Sequence, residues 1–369
     1  MNINLIFTYG VSLKDWKISG ILDRELEMYR RMILNNGSVV NLITFGDIED
    51  DDILIDEENI NTYPVYKYIK KTRSPFLNFF SSFLIPFKLK EELKDGDLIK
   101  TNQLNGSWIG IFLKFILKKP LIIRTGYNVY EFSKNERKSK IKQLFYFYLT
   151  KYSLKFSDKY LVSSNSDLVF LRENFSNTEN VVVFPNWVDS LKYKDFKNRY
   201  TNKVLSVGRL EDQKNYQFLI QKFANSKIEL DIIGEGSRKK ELKKLAKKNN
   251  VKVNFLGRVD YFELQEIYKN YRIFIMPSLF EGNPKALLEA LASGCLVFAL
   301  KNKNIEEIIV NKKNGILFTL ETDLNKEIEK YLYSENSFNA LTTGAYDYIK
   351  ENNLIDILFE KEMEIYKKL

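Results

Sequence analysis

Short hydrophobic runs alternate with stretches of helical spacing along the second half of the chain. The strand-like runs are continuous and rich in β-branched residues, and they span 203–210, 228–236, 251–259, 272–278, 295–300 and 315–320. Apolar residues at helical spacing occupy 215–225, 237–248, 284–292 and a short stretch near 304–309. Strands separated by helices at these distances predict βαβ units and a parallel sheet.

The first half follows the same pattern less regularly. Its candidate strands span 2–10, 38–46, 97–104, 119–127, 158–165 and 180–187, and the pattern lapses over 185–200. We therefore predict an α/β chain of two Rossmann-like, doubly wound domains, 1–190 and 191–353, which face each other across a cleft. The last helix, 354–369, has no strand after it and is expected to pack back on the first domain. Ligands of such sheets bind at the carboxyl ends of the strands.

The composition narrows the class of protein. The chain has 369 residues, 44% hydrophobic and 28% charged, which suits two soluble globular domains. Cys295 is the only cysteine, so an intrachain disulfide is excluded and a reducing, cytoplasmic location is expected. The first residues lack the features of a signal peptide, and no apolar run is long enough to span a membrane. The net charge of +9 suits a nucleotide, a phospholipid surface or a nucleic acid.

Histidine is absent from the chain, and this restricts the chemistry more than any other feature. It excludes a Ser–His–Asp triad, a His–Cys zinc site and a histidine general base. Catalysis must then rest on carboxylates, lysine, arginine, backbone dipoles or groups of the substrate itself.

The strongest local motif follows the strand 272–278. Glu281, Gly282, Asn283 and Pro284 form a loop that opens a helix, and Glu289 lies within that helix. Proline is accepted in the first turn of a helix, glycine permits close approach of a ligand, and the free N–H groups of a helix start bind anions or hydroxyls. The two glutamates can therefore flank one ligand. Alone, such a pair is more often incidental, but its place between a buried strand and a helix start favours a site.

A second motif, 207–215, places Arg209 just past a strand end and Lys214 near a helix start. Arginine offers a fork to phosphate oxygens and lysine a point charge, so both can compensate the charge of a departing diphosphate. Ordinary surface ion pairs are the alternative interpretation. The glycines of 234–236 and the Gly257-Arg258 pair follow other strands, and by themselves they indicate simple strand–helix turns because a dinucleotide fingerprint is incomplete.

Taken together, these motifs resemble glycosyltransferase family 4, the retaining transferases of the GT-B fold. The matching segments are VGRL with Lys214, IIGEGS, FLGRV and MPSLFEGNPKALLEALASG, in this order over about 200–320. The first half resembles a surface-polysaccharide subset of the family through KTNQLNGSW, IIRTGYNVYEF and FPNWVD. The resemblance implies metal-independent transfer of a sugar from a UDP- or GDP-sugar to a glycan or lipid-linked glycan, as in lipopolysaccharide or capsule synthesis, with no further cofactor.

The resemblance also implies roles for individual residues. Arg209 and Lys214 would hold the donor diphosphate, Glu281 the hydroxyls of the donor sugar and Glu289 those of the ribose. Backbone around the donor would come from Gly20, Gly234, Gly282, Asn283, Pro284, Arg258 and Val259. The first loop departs from the family because Gly20 stands without a second glycine. Where many members have a histidine, this chain has the acceptor-side candidates Arg124, Tyr127 and Asn128.

The absent histidine fits front-face retention, in which an oxygen of the donor phosphate takes the proton of the acceptor. Two-step displacement through a carboxylate nucleophile remains open. So does a catalytically silent nucleotide-sugar-binding or scaffold subunit of a glycan assembly complex, because a fold alone does not give activity. Binding to nucleic acid is not expected, since no recognised motif accompanies the positive charge.

Two segments of the first half suit docking on an anionic membrane. The segment 75–90 is apolar and aromatic, and 134–159 has one apolar helical face and eight basic residues against two acidic ones. The alternative interpretation is that the apolar face belongs to the core and the lysines lie on a solvated back. If the first interpretation holds, the chain is peripheral on the cytoplasmic face of the membrane.

Overall fold

The computed structural model describes residues 1–191 and 196–369, and the chain divides into two compact units. Unit 1 comprises Met1–Phe184 together with Glu362–Leu369, and unit 2 comprises Pro185–Lys361. The lapse in pattern over 185–200, where we expected the joint between domains, includes residues 192–195, which lie outside the described residues.

Unit 1 is built on a sheet of seven parallel strands, whose order is β3-β2-β1-β4-β5-β6-β7. Most of these strands are buried on both faces, as expected for a sheet covered by helices on both sides. The strands are β1 Ile3–Ile6, β2 Val40–Thr44, β3 Ile60–Pro64, β4 Leu98–Thr101, β5 Leu121–Arg124, β6 Lys159–Val162 and β7 Val181–Val183.

Serine and asparagine start several helices of unit 1. The side chains of Ser12, Asn128, Ser139 and Ser164 each accept a hydrogen bond from a backbone N–H in the first turn of the helix that follows. The helices are α1 Leu13–Ile18, α2 Leu22–Asn36, α3 Pro75–Ser81, α4 Ile85–Lys88, α5 Lys90–Leu93, α6 Ser107–Leu117, α7 Val129–Asn135, α8 Lys140–Phe156 and α9 Asn165–Asn174.

Unit 2 is built on six parallel strands in the order β10-β9-β8-β11-β12-β13. The strands are β8 Tyr200–Val207, β9 Glu229–Ile233, β10 Val253–Gly257, β11 Tyr271–Met276, β12 Leu296–Leu300 and β13 Ile316–Phe318. The helices are α10 Tyr216–Lys222, α11 Lys239–Lys248, α12 Tyr261–Tyr268, α13 Lys285–Ala292, α14 Leu324–Leu332, α15 Glu335–Asn352 and α16 Ile355–Lys367, whose last residues belong to unit 1.

Alternate residues of the central strands of unit 2 enter separate cores on the two faces of the sheet. Val204 and Ile273 pack in one buried cluster, whereas their neighbours Leu205 and Phe274 pack in the other. Both units share the strand order of the Rossmann fold, with two strands to one side of the first strand and the rest to the other. The prediction of two doubly wound domains with parallel sheets is therefore confirmed.

Several elements differ from the predicted ones. Strand β3, at the edge of its sheet, was not predicted, and neither were α14 and α15. The expected helix near 304–309 is a single 3₁₀ turn, Ile305–Glu307. Among the helices of the part of the chain that the structure describes, none combines the length and the apolar character needed to cross a membrane.

Candidate active site

The candidate site lies where two neighbouring strands of unit 2 end. Strands β8 and β11 pair in parallel at the point where the strand order reverses, and their following loops, 208–215 and 277–284, leave the same edge of the sheet. Ligands of doubly wound folds bind at this switch point, because diverging loops leave a crevice there. Both motifs that the sequence singles out fall in these two loops, apart from Glu289, which lies on the helix after the second loop.

An ion pair joins the two loops. Lys214 Nζ lies 2.5 Å from Glu281 Oε1, and the two side chains are only 14% and 8% exposed. A carboxylate so withdrawn from water needs a partner to offset the loss of its hydration. The pKa of the neighbouring Tyr216 is raised, mainly by burial and further by the negative charge of Glu281, so this phenol stays neutral. The structure thus brings Lys214 and Glu281 into direct contact.

Gln213 fixes the distance between the same loops. Its side-chain Nε2 donates to the carbonyl of Phe280 over 2.8 Å, and its own carbonyl accepts from the N–H of Leu279 over 2.9 Å. Gln213 directly precedes Lys214, and Leu279 and Phe280 directly precede Glu281, so these two bonds hold together the backbone segments that carry the ion pair.

Asn283 ties the loop before α13 to Asn186 through its side chain and its backbone carbonyl. Its Oδ1 accepts from the N–H of Asn186 over 2.9 Å, and its carbonyl accepts from the side chain of the same residue. The carbonyl of Asn186 in turn accepts from Asn353 over 2.7 Å. Pro284 occupies the N-cap position in an extended conformation, so it precedes the helix and does not lie in its first turn as expected.

Glu289 lies on α13 and is almost completely buried, with 3% of its surface exposed. The hydroxyl of Tyr268, on the neighbouring helix α12, donates to Glu289 Oε2 over 3.3 Å. Tyr268 is itself fully buried, and the same hydroxyl also lies 3.3 Å from the carbonyl oxygen of Ala286, so Tyr268 contacts α13 at both residues. A buried carboxylate held in this way suits a ligand that brings its own hydroxyl donors.

The glycines of 234–236 are required by close backbone approach. Gly234 has φ +142°, and a Cβ at this position would lie 2.0 Å from the carbonyl oxygen of Gly208. A Cβ on Gly236 would lie 2.5 Å from the carbonyl oxygen of Leu210. Gly234 and Gly236 therefore pack against the loop after β8 and help to position it. The sequence had indicated only a simple turn between strand and helix.

The remaining donor-side candidates lie at the rim of the sheet. Arg209 and Arg258 are exposed, and Val259 is half-buried against the core. Glu211 accepts hydrogen bonds from the hydroxyl and the N–H of Ser237, and these bonds, with a smaller contribution from Arg209, hold its pKa below the ordinary value. Glu211 therefore stays ionised and links the loops that follow β8 and β9.

Four candidate residues belong to unit 1. Gly20 follows α1 with φ +69°. Arg124 ends β5 and is buried, with its guanidinium 5.5 Å from the ring centre of Phe184. Tyr127 is 37% exposed, whereas Asn128 is buried and starts α7 as its N-cap. Arg124, Tyr127 and Asn128 thus gather at the carboxyl end of one strand of unit 1.

Sequence reasoning missed three residues that position the site, namely Gln213, Asn186 and Tyr268. Gln213 stands inside the second motif, between its two cations, and its place there was the only available signal. Asn186 lies within the quoted segment FPNWVD, but its contact with Asn283 spans 97 residues of sequence. Tyr268 contacts Glu289 over 21 residues, and no motif marks it.

Solved structures of glycosyltransferases share this architecture. HepE of Anabaena, solved in complex with UDP and glucose, superimposes with a TM-score of 0.78 over 100% of both chains at 16% identity. At this identity the similarity establishes the fold. Together with the two parallel sheets, it confirms the GT-B fold class.

Sequence comparison identifies the class of enzyme. Residues 189–348 match the family model of glycosyl transferases group 1. The chain is 26% identical over 358 residues to the uncharacterized glycosyltransferase MJ1069 of Methanocaldococcus jannaschii, covering 87% of this chain and 90% of that protein. It is 27% identical to a GalNAc-GalNAc-diNAcBac-PP-undecaprenol N-acetylgalactosaminyltransferase of Campylobacter jejuni, over 64% of this chain and 65% of the relative. The chain is a glycosyltransferase with a group 1 domain in unit 2.

Proposed function

We propose that this glycosyltransferase moves a sugar from a UDP- or GDP-sugar to a lipid-linked glycan in surface polysaccharide synthesis, with retention and without a metal. The observation that carries the proposal is the sheltered Lys214–Glu281 pair at the β8/β11 switch point. The acceptor class follows relatives whose names specify undecaprenol diphosphate glycans. The UDP complexes of HepE favour UDP as the nucleotide.

In the proposed reaction, Arg209 and Lys214 hold the diphosphate and Glu281 holds hydroxyls of the donor sugar. The acceptor hydroxyl attacks the anomeric carbon from the side of the leaving group. The bond from that carbon to the diphosphate breaks, its electron pair passes to the diphosphate, and the hydroxyl proton passes to a phosphate oxygen. The two cations stabilise the charge that develops on the diphosphate. No histidine exists in the chain to act as a base.

The alternative to front-face attack is a covalent intermediate on Glu281, whose carboxylate would then attack the anomeric carbon. In this structure Lys214 donates to one of the two oxygens of Glu281, so the ion pair is compatible with either pathway and a trapping experiment separates them. Trapping of a glycosyl–Glu281 adduct, detected by mass spectrometry of the wild-type protein with a fluorinated donor, would replace the front-face pathway by the two-step one.

Replacement of Glu289 by Ala is expected to weaken UDP binding by about 10- to 100-fold. The physical reason is the loss of hydrogen bonds between the carboxylate and the ribose hydroxyls, each worth about 1.5–3 kcal/mol when one partner is charged. Titration calorimetry with UDP, GDP and ADP measures the change and identifies the base. Glu263→Ala, which removes an exposed carboxylate from α12, is the control. Unchanged affinity of the Glu289→Ala protein would remove Glu289 from the donor site.

We further propose that the enzyme is peripheral on an anionic membrane through 75–90 and 134–159. Phe76, Phe80 and Phe87 are 53–68% exposed, and Ile141 is 82% exposed. The alternative interpretation, in which these apolar side chains belong to the core, therefore does not hold for them. It holds instead for Leu149 of the same helix, which is only 8% exposed.

Reversal of three charges tests the membrane proposal. The triple variant Lys138→Glu, Lys140→Glu, Lys142→Glu is expected to weaken binding to phosphatidylserine-containing liposomes by about a hundredfold, because each basic residue near the surface contributes about 1 kcal/mol. The readout is cosedimentation at low and high salt. The matched control reverses three exposed lysines of α11, Lys240, Lys243 and Lys244, and so makes the same change in net charge. Equal losses in both variants, or no loss in the first, would contradict the proposal.

A further inference from the structure

An apolar groove of about 370 Å³ opens on unit 1 between the α3 region, α6 and α8. Its floor and walls are aromatic and aliphatic, and it has little polar surface. The side chains that line it are Phe79, Phe83, Trp108, Ile141, Leu144, Phe145, Tyr148, Leu149 and Tyr152. The volume falls in the range of sites that enclose a small molecule.

Aromatic contacts hold the groove in shape. The ring centre of Phe79 lies 5.1 Å from that of Trp108, 5.4 Å from that of Phe83 and 5.9 Å from that of Phe145. The indole N–H of Trp108 donates to the hydroxyl of Ser82 over 2.9 Å. An apolar guest would therefore not leave this donor buried and unpaired, which would cost free energy.

The rim of the groove keeps apolar surface in contact with water. Leu144 is 56% exposed, and Tyr148 and Tyr152 stack along the rim with 44% and 48% of their surfaces exposed. Contiguous exposed apolar surface of this kind marks a binding site, because covering it is favourable. A concave face fits a narrow apolar chain better than a flat surface does.

A second cavity of about 430 Å³ adjoins the groove and shares Leu144 with it. Its other lining residues are Tyr130, Lys140, Gln143 and Phe147. Lys140 supplies a positive charge. The Nε2 of Gln143 donates one hydrogen to the carbonyl of Lys138 over 2.7 Å and has a second, so the two side chains suit a phosphate group attached to the chain. Charge complementarity therefore specifies an anionic amphiphile rather than a neutral hydrocarbon.

We propose that the groove binds the hydrocarbon chain of a polyisoprenyl diphosphate acceptor and that the adjoining cavity receives its phosphate beside Lys140 and Gln143. This inference rests on the proposed function, whose acceptor class it makes specific. It differs from docking on a membrane surface, since one chain occupies a defined groove and is recognised without a bilayer.

Binding of farnesyl phosphate in solution, measured by titration calorimetry below its micellar concentration, tests the groove. Leu144→Asp is expected to weaken binding at least tenfold, about 1.4 kcal/mol, because a carboxylate then lines the groove. Leu77→Asp is the matched control, since Leu77 has the same side chain and is 55% exposed but does not line the groove. Isopentenyl phosphate, which has the same head and a five-carbon chain, is expected not to bind at the same concentrations.

The outcomes separate the possible occupants. Equal losses in Leu144→Asp and Leu77→Asp, with unchanged melting temperatures, would show a non-specific apolar face and overturn the proposal. Absence of farnesyl phosphate binding to the wild-type protein would also overturn it, and liposome binding by the same sample would then assign the face to the membrane. UDP binding measured in parallel distinguishes this failure from failure of the proposed function, because the donor site lies in unit 2.

Lys140→Gln tests the orientation of the chain. It is expected to weaken farnesyl phosphate binding about threefold and to leave farnesol binding unchanged, because only the phosphate contacts the lysine. An equal effect on both ligands would contradict the assignment of the second cavity to the phosphate.

Discussion

Replacement of Lys214 by Ala is expected to lower kcat/KM for glycosyl transfer by about two to three orders of magnitude. Removal of one donor that stabilises a developing oxyanion has an effect of this size, and Lys214 is the sheltered cation at the candidate site. Most of the loss is expected in kcat, since the charge on the diphosphate grows in the transition state. Steady-state kinetics over a range of donor concentrations separates kcat from KM.

Two further variants make this result interpretable. Lys214→Arg keeps the charge and is expected to recover part of the activity. Lys269→Ala is the matched control, because Lys269 also pairs with a glutamate at 2.5 Å but lies at the end of α12, outside the candidate site. If Lys214→Ala and Lys269→Ala retained equal activity, Lys214 would have no role in the reaction. Thermal melting of each variant shows whether Glu281, left without this partner, destabilises the fold.

Replacement of Lys100 by Met is expected to destabilise unit 1 by about 3–5 kcal/mol, a fall in melting temperature of roughly 6–20 °C. Lys100 lies in the middle of the buried strand β4 and pairs with Glu362 near the end of α16, and both side chains are at most 1% exposed. The ammonium group also lies 5.0 Å from the ring centre of Tyr29. Loss of Lys100 leaves the charge of Glu362 buried without its partner.

The pKa of Lys100 gives the sign of the pH dependence. Burial by itself would lower this pKa, but the negative charge of Glu362, with Tyr29, outweighs burial and raises it above the ordinary value. A raised pKa in the folded state means that the contribution of the pair to stability is complete at neutral pH. It is lost only as the pH rises through the folded-state pKa.

Compensating replacement provides the control for the buried pair. The double variant Lys100→Met, Glu362→Leu is expected to recover most of the lost stability, because a buried ion pair contributes little more than apolar residues of similar volume. Lys94→Met, which breaks an exposed pair with Glu91, is expected to change stability by less than about 1 kcal/mol. A Lys100→Met protein as stable as Lys94→Met would mean that the pair does not fasten the end of α16.

Continuous apolar runs made the central strands of both sheets predictable. Strand β3 escaped because it is an edge strand whose residues, such as Asn61 and Thr62, are partly exposed and polar. An edge strand buries less surface, so its sequence resembles that of a loop. The ion pair of Lys100 could not be predicted either, because its partner Glu362 is 262 residues away in the sequence.

The candidate site was predictable as residue types but not as contacts. Glu281 and Arg209 follow strands, Lys214 precedes a helix, and Glu289 lies within the helix that follows Glu281, so their place near one edge of the sheet followed from the fold. The ion pair between Lys214 and Glu281 depends on side-chain geometry, which the spacing of residues in the sequence does not determine. The exposure of the apolar face of α8 could not be predicted either, because an amphipathic pattern does not determine whether that face contacts the core or water.

The most direct test of the proposed reaction is transfer of a radiolabelled sugar into a lipid extract of the source organism's membranes, in the presence of EDTA, from a panel of UDP- and GDP-sugars. We expect label in the lipid fraction with one donor, with the anomeric configuration of that donor preserved in the product and with activity lost in Lys214→Ala. Label that disappears with EDTA, or a product of inverted configuration, would contradict it. Nucleotide binding without transfer from any donor would instead indicate a silent subunit.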